Sequence, residues 1–394
     1  MKKTIIITTG LYPSEGIFSF IKYISVALIS NKEFLKKYNL KILVFNEGIK
    51  NKTKKIIYNS FLIVKNILLT KKNRIHKFNH SAKKFKQENR DLSKFIEYFN
   101  DESDYEKYDP HLIFPMQTNV DKKILSLGYI YDLQHKELPH LFDKKEIRMR
   151  NRLFKNIIKN NNKIILNSKY VKDGVIKTYK VENKKIIQLP FLPYIFDNVN
   201  FLKKKIKKRY GISDDYFFIG NNFWKHKNHE VAFKAFEIFL EKNPKYQLIC
   251  TGKTHDSRFP NYFKDLTKNF EVLIKNEKLK ILNLIPRTDQ LSLMKNSIAV
   301  VQPTLYEGGP GGFSTYEALA IGKKVIISDI PINKEINSNN LYFFNPNLPS
   351  DLAKIFMKLI KIRKSLKTNV RYKSISEGNK KKFGKFLYKI INKF

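Results

Sequence analysis

The sequence is poor in thiols, in acidic residues and in long apolar runs. It has a single cysteine, Cys250, in 394 residues, which excludes an internal disulfide. Its place at the end of the apolar run Tyr246-Gln247-Leu248-Ile249-Cys250 predicts a buried thiol in a reducing compartment. No apolar run approaches the ~18 residues of a membrane-spanning helix. The opening, Lys2-Lys3 followed by Thr4-Ile5-Ile6-Ile7-Thr8-Thr9, is too short for a secretory core and predicts a first strand instead. A cytoplasmic protein with peripheral membrane contact is expected. No Asp-x-Asp triplet occurs, and the eight His and one Cys form no ligand cluster, so neither a metal nor a resident cofactor is expected. Repeats at solenoid spacing are absent.

Acid is scarce relative to base: 76 Lys+Arg face 35 Asp+Glu, a formal charge of +41. Such a field attracts nucleic acid, anionic lipid or phosphorylated substrates. A general enrichment in Lys, Asn and Ile is the plainer source of the same number, because the excess is widespread. It is also uneven. Lys50 to Lys94 carries 14 basic and 2 acidic residues, and Lys354 to Phe394 carries 14 against Glu377 alone. The first stretch includes Phe61-Leu62-Ile63-Val64 and Ile67-Leu68-Leu69, which suits either an amphipathic element on anionic lipid or a domain helix with a solvated basic face.

With 42% hydrophobic and 13% aromatic residues, the chain can fill two cores of roughly 150–200 residues each. Short β-branched or apolar runs alternate with helix-period segments, the pattern of parallel sheets with crossover helices. Strands are predicted at Thr4–Thr9, Leu40–Phe45, His111–Pro115, Gly128–Tyr131, Lys163–Asn167 and Ile186–Leu189, with helices at Phe18–Leu28 and Lys144–Lys159. A second set follows at Tyr216–Ile219, Gln247–Thr251, Lys280–Leu284, Ile298–Gln302 and Lys324–Ser328. Its helices are predicted at Glu230–Leu240, Thr288–Lys295 and Thr315–Ile321. The expected class is α/β, two Rossmann-like domains facing across a cleft, joined near Pro190-Phe191-Leu192-Pro193. Residues 1–192 would form the first domain and 193–375 the second. A basic helix, 376–394, would pack back towards the first domain. Ligands of such sheets bind beyond the carboxyl ends of the strands, so the cleft is the place to look.

The strongest local signal is Glu307-Gly308-Gly309-Pro310-Gly311-Gly312-Phe313-Ser314-Thr315-Tyr316-Glu317-Ala318-Leu319, between a strand and a helix. Glycines there let the backbone approach an anion, and the helix start offers free N–H groups and the positive dipole end. Ser314 or Thr315 is expected to cap the helix, leaving Glu317 in its first turn to accept from a ribose diol. The plain alternative is a capped helix in which Glu317 only complements the dipole.

Leu293 to Ile336 resembles the donor-binding signature of the retaining GT-B glycosyltransferases of family four, the glycosyl transferases group one. The matching parts are Glu307, Gly308–Gly312, Glu317, Gly322 and Val325–Ser328. In that family the first Glu contacts the transferred sugar and the second binds the ribose. The family spacing between them is eight, against ten here. Asn221-Asn222-Phe223-Trp224-Lys225-His226-Lys227-Asn228-His229 resembles the segment whose Arg and Lys reach the donor diphosphate. Lys227 takes the Lys place and Asn222 the Arg place, with Lys225, His226 and Arg287 the candidates to replace the missing cation. A basic helix start beside a buried Trp224 is the alternative.

Tyr129-Ile130-Tyr131-Asp132-Leu133-Gln134-His135 resembles the first-domain segment facing acceptor and sugar, and makes Asp132 and His135 catalytic candidates. Ile164-Ile165-Leu166-Asn167-Ser168 resembles the family strand that ends in Ser before a helix. Gly10-Leu11-Tyr12-Pro13-Ser14-Glu15-Gly16-Ile17-Phe18 resembles the glycine-bearing loop bordering the acceptor and donor phosphate, which puts Gly16 on the acceptor side.

The resemblance implies a metal-independent retaining transfer of a sugar from a UDP- or GDP-linked donor to a glycan or lipid-linked acceptor in cell-surface polysaccharide or lipopolysaccharide synthesis. Donor binding would fall to Lys227, Asn222, Lys225, Gly311, Gly312, Phe313, Ser314 and Glu317, with Glu307 on the sugar. The partners implied are the nucleotide-sugar donor, the acceptor and an anionic membrane surface. Competing classes are a glycoside hydrolase, a nucleotide-sugar epimerase of similar build, a nucleic-acid-binding protein and a non-catalytic relative. The glycine loop and cationic strand end have no purpose in hydrolysis, and no zinc-ligand, helix-turn-helix or stacked aromatic motif declares a nucleic-acid fold.

Overall fold

A computed structural model describes residues 2–11, 15–46, 82–116, 124–195, 203–213, 215–363 and 372–394. The apolar basic segment around Phe61–Leu69 and the loop residues Tyr12–Ser14 lie outside the described residues. Among the described residues the strands form two parallel sheets. The first contains β1 (Lys3–Thr8), β2 (Tyr38–Phe45), β3 (Ile96–Phe99), β4 (Pro110–Met116), β5 (Ser126–Tyr129), β6 (Lys163–Leu166) and β7 (Ile186–Gln188), in the order β3-β2-β1-β4-β5-β6-β7. The second contains β8 (Tyr216–Gly220), β9 (Gln247–Thr251), β10 (Leu279–Ile281), β11 (Val300–Gln302), β12 (Val325–Ser328) and β13 (Leu341–Phe344), in the order β10-β9-β8-β11-β12-β13.

These are two Rossmann-like sheets, and together they make the GT-B fold. Central strands such as Ile5-Ile6-Ile7 and Phe217-Phe218-Ile219 are buried throughout, as runs covered on both faces must be. The order reverses between β1 and β4 and again between β8 and β11. At such points the connections depart in opposite directions and leave a crevice at the carboxyl ends of the strands.

Strands β3 and β13 were not expected from the sequence. Both lie at sheet edges, and both are partly solvated, with Tyr98 and Phe343 exposed. β3 reads Ile96-Glu97-Tyr98-Phe99, flanked by charged 3-10 turns, so its pattern is too short and too polar to mark a strand. The glycine-loop helix also starts earlier than expected, spanning Gly312–Ala320.

The chain passes from the first sheet to the second through Leu189–Ile195. Tyr194 is stacked on Tyr23 at 4.5 Å between centroids, and Tyr23 Oη donates to the Leu192 carbonyl at 2.7 Å. The last helix, Tyr372–Ile391, lies on the first domain. Its Phe383, Leu387 and Ile391 share a core with Ile21, Ile24 and Leu28 of the helix Glu15–Ile29. Gly384 marks the crossing, where a Cβ would meet the Ala27 carbonyl oxygen at 2.3 Å. Asn379 Nδ2 also donates to the Pro193 carbonyl at 2.9 Å.

Gly384→Ala should therefore destabilise the protein, although alanine is the better helix former by ~1 kcal/mol. The overpacking should outweigh that gain, at about 1–3 kcal/mol. A Tm lowered by several degrees in a circular-dichroism melt is the expected outcome; an unchanged or raised Tm would show that the helix pair can part without penalty.

Candidate functional site

The crevice of the second sheet collects an unusual density of paired polar groups. Lys227 leaves the short turn Lys225–Lys227 that follows β8, and Glu307 follows β11. Lys227 Nζ donates to Glu307 Oε1, with both side chains 12% exposed. Gln302, buried at the end of β11, organises the surroundings. Its Nε2 donates to Glu307 Oε1 at 3.2 Å and to the Gly311 carbonyl at 2.8 Å, and its Oε1 accepts from Asn221 Nδ2. One amide thus holds a carboxylate and a tight glycine turn, and the carboxylate in turn holds the ammonium.

The turn itself needs glycine. Gly311 and Gly312 have φ of +66° and +63°, a region that costs other residues about 1 kcal/mol or more. A Cβ on Gly311 would meet Thr315 at 2.5 Å, and one on Gly312 would meet the Glu307 carboxylate at 3.1 Å. Gly311, not Ser314 or Thr315, occupies the cap position. Both hydroxyl residues lie inside the helix and are buried, which corrects the expected cap and moves Glu317 to the second turn. The Gly311 amide donates to Asn333 Oδ1 at 2.8 Å and the Gly312 amide to the Gly309 carbonyl at 3.1 Å. Those two amides are committed, whereas Phe313 and Ser314 hold first-turn N–H groups with no acceptor inside the helix. Glu317 is buried and pairs with Arg287 from the helix Arg287–Asn296. Arg287 Nη1 also donates to Gln290 Oε1 at 2.8 Å.

The first domain presents the segment after β5 to this loop. Asp132 Oδ1 accepts from the Gln134 amide at 3.1 Å and lies 3.4 Å from Arg150 Nη1. Burial pushes the Asp132 carboxyl above the usual range, Arg150 opposes the shift, and the field of Glu307 across the cleft adds to it. Tyr306 Oη accepts from the Leu133 amide at 2.9 Å. From further along the second domain, Glu335 accepts from the Lys169 and Tyr170 amides at 2.8 and 2.6 Å. It thereby caps the helix Lys169–Tyr179, whose own cap is Ser168. A carboxylate at that end meets free N–H groups and the positive dipole end.

Residues 202–377 match the family model described as glycosyl transferases group 1. The match falls within the second domain and takes in its whole sheet. A curated relative, the O-antigen chain mannosyltransferase RfbU of Salmonella typhimurium (strain LT2), is 29% identical over 199 residues. That match takes in 50% of this chain and 50% of the relative, so the chain spans about half the length of the curated protein it matches. Among solved structures, Anabaena HepE in complex with UDP and glucose superposes with a TM-score of 0.65 at 12% identity, covering all of both chains. WaaG, a glycosyltransferase involved in lipopolysaccharide biosynthesis, gives 0.56 at 12% identity over 99% of this chain and 98% of that one. At such identities these neighbours show the shared GT-B fold.

The structure brings Lys227, Glu307, the Gly311–Ser314 turn and Asp132 towards one another, while Glu317 lies further along the glycine-loop helix on Arg287. Other candidates sit elsewhere. His135 is turned inward by the short helix Gln134–Glu137 and is 1% exposed. Its ring lies edge-on to Phe154 at 5.4 Å, with Nε2 at 3.2 Å from Asn151 Oδ1. A side chain so enclosed is a core group, which corrects its placing on the cleft.

Asn222 does not stand in for a cation, because its Oδ1 accepts from the Lys253 amide at 2.9 Å and ties the β8 loop to the β9 loop. Lys225 is exposed, its amine 4.6 Å from the centre of the Phe259 ring rather than on Glu307. His226 is buried and kept neutral by burial and by Lys227, and Arg287 is bound to Glu317. Trp224 is not buried but 37% exposed. Gly16 is exposed in the first turn of the helix Glu15–Ile29.

Sequence reasoning missed Gln302, Asn333, Arg150 and Arg258. Buried amides carry no motif, and two arginines more than a hundred positions apart give no sign of meeting.

His135 also sets a pH dependence. Burial holds its pKa down to about 4, against about 6.5 in an unfolded chain. Between those values the unfolded state binds the extra proton, so this stabilising contribution is complete above about pH 6.5 and is lost as pH falls towards about 4. His135→Phe should flatten the fall of Tm across that window. Parallel wild-type and variant slopes would show that His135 is not held neutral.

Proposed function

We propose that the protein is a retaining, metal-independent glycosyltransferase that takes a sugar from a UDP- or GDP-linked donor. The acceptor is a glycan or lipid-linked oligosaccharide of cell-surface polysaccharide or lipopolysaccharide synthesis. The observation that carries the reading is the Lys227–Glu307 pair at the β8–β11 crevice, beside a positive-φ glycine turn that opens into a helix. The group 1 match within the second domain supports the class. The mannosyltransferase relative and the UDP-bound HepE structures support a nucleotide-sugar donor and a glycan acceptor.

Lys227 is neutralised by Glu307. An arriving diphosphate competes for that ammonium, and the first-turn amides at Phe313 and Ser314 point donors at the same anion. As the glycosidic bond breaks, charge grows on the leaving diphosphate, and a fixed cation there lowers the barrier. Glu307, released from Lys227, accepts from the sugar hydroxyls. Glu317, steadied by Arg287, accepts from the ribose diol. A donor phosphate oxygen takes the acceptor proton, as the family resemblance implies, and Asp132 lines the opposite wall.

The enzyme works at the cytoplasmic face of the membrane. Lys373, Lys381, Lys382, Lys385, Lys389 and Lys393 of the last helix and its end are exposed, a cationic face suited to an anionic leaflet at ~1 kcal/mol per residue near the surface. Among the described residues no helix is long and apolar enough to cross a membrane.

The test is thermal stabilisation by a panel of nucleoside diphosphates and their sugar conjugates without metal, where a ligand at ~100 times its Kd contributes about 2.7 kcal/mol. A saturable shift for one base is expected. Glu317→Ala should weaken that nucleotide at least ~10-fold, about 1.4 kcal/mol, while Glu307→Ala should mainly lower turnover. No shift with any nucleotide, or undiminished affinity in the Glu317 variant, overturns the assignment.

A further inference from the structure

Three groups of the second domain converge on four consecutive residues of the first, Tyr131 to Gln134. Gly308 is pressed onto the Tyr131 carbonyl so closely that a Cβ would lie 1.8 Å from its oxygen and 2.9 Å from Asp132 Cβ. Tyr306 Oη takes the Leu133 amide. Arg258, from the loop after β9, donates to Gln134 Oε1 at 3.3 Å. Its guanidinium carbon stands 4.5 Å from the centre of the first-domain Phe142 ring. Arg150 stands 4.7 Å from that same ring and binds Asp132 and Glu146. The neighbouring Gly309 adds a contact to Asn167, where a Cβ would come within 3.2 Å of the Asn167 Cβ.

We infer that Gly308 and Arg258 form a clamp that closes the second domain on the Tyr131–Gln134 segment and sets Asp132 opposite Glu307 for transfer. The inference rests on the transferase reading. It adds two positioning residues that bind neither nucleotide nor sugar. Gly308 follows Glu307 directly, so seating it on Tyr131 fixes the backbone from which the Glu307 carboxylate projects. Glycine is required because the approach leaves no room for any side chain, and its φ plays no part. Arg258 acts through Gln134, whose own amide holds Asp132 Oδ1. One end of the clamp therefore positions each carboxylate. The nucleotide contacts proposed for Lys227 and Glu317 lie wholly within the second domain and do not need closure.

The clamp predicts a split between binding and turnover. Gly308→Ala and Arg258→Gln should keep nucleoside diphosphate affinity within ~2-fold of wild type and lower kcat at least ~10-fold, equivalent to about 1.4 kcal/mol. Arg258→Lys should recover little, since a lysine lacks the planar fork that both reaches Gln134 and stacks on Phe142. Small-angle scattering of the ligand-free proteins is the readout independent of activity. Gly308→Val should raise the radius of gyration over wild type, with circular dichroism verifying that both domains stay folded. Unchanged kcat in both Gly308→Ala and Arg258→Gln, or an unchanged radius of gyration in folded Gly308→Val, overturns the clamp. A wild type that binds no nucleotide but opens on Gly308→Val would instead sink the transferase reading and leave the clamp standing.

Discussion

The side-chain amide of Gln302 is the point on which the crevice depends. Buried at the end of β11, it donates to Glu307 and to the Gly311 carbonyl while accepting from Asn221 at the end of β8. A buried amide must satisfy both its ends or lose about 1–3 kcal/mol per orphaned group. Here that requirement joins the two strands flanking the crevice, the carboxylate beside Lys227 and the turn before the helix. The positive φ of Gly311 and Gly312 is the backbone's accommodation to that junction, and Asn333 completes it by taking the Gly311 amide. The polar network is closed on itself, its cation and carboxylate paired with each other rather than facing open solvent.

A second constraint acts between the domains. Glu335 ends its own turn in the second domain but satisfies the helix start at Lys169 and Tyr170 in the first. Ile332, a few residues earlier, is buried in the first-domain core with Ile130, Leu133 and Phe154. Phe313 and Tyr316 likewise leave the glycine-loop helix to approach Tyr23 edge-on at 6.3 and 6.0 Å. Apolar packing and one charge-assisted cap thus share the same interface. The cap is directional, because it needs N–H groups at one end of one helix, and the packing is not.

Much of the fold was legible in the sequence because its central strands are uninterrupted apolar runs and its helices carry a clear period. The edge strands β3 and β13 were not, since a strand solvated on one side and only four residues long resembles a loop. The Glu307–Glu317 loop was legible as well, as glycines between strand and helix have few other uses. Its capping was misread because Ser314 and Thr315 are good cap residues by type, and only the positive φ of Gly311 shows that the helix begins before them. Asp132 and His135 looked equivalent in sequence. Three positions are enough for a short helical turn to send one side chain to the cleft wall and the other into a cage of phenylalanines. Arg258 was invisible because its meaning lies in Phe142 and Gln134, more than a hundred residues earlier.

The return of the last helix to the first domain has a mechanical consequence. The chain crosses between the domains twice, once after β7 and once before Tyr372. A body tethered at one point can swivel about any axis, whereas one tethered at two keeps mainly the rotation about the line that joins them. The rotation such a tether leaves open is that of a door, with the Tyr23–Tyr194 stack and the Gly384–Ala27 crossing near its hinge post.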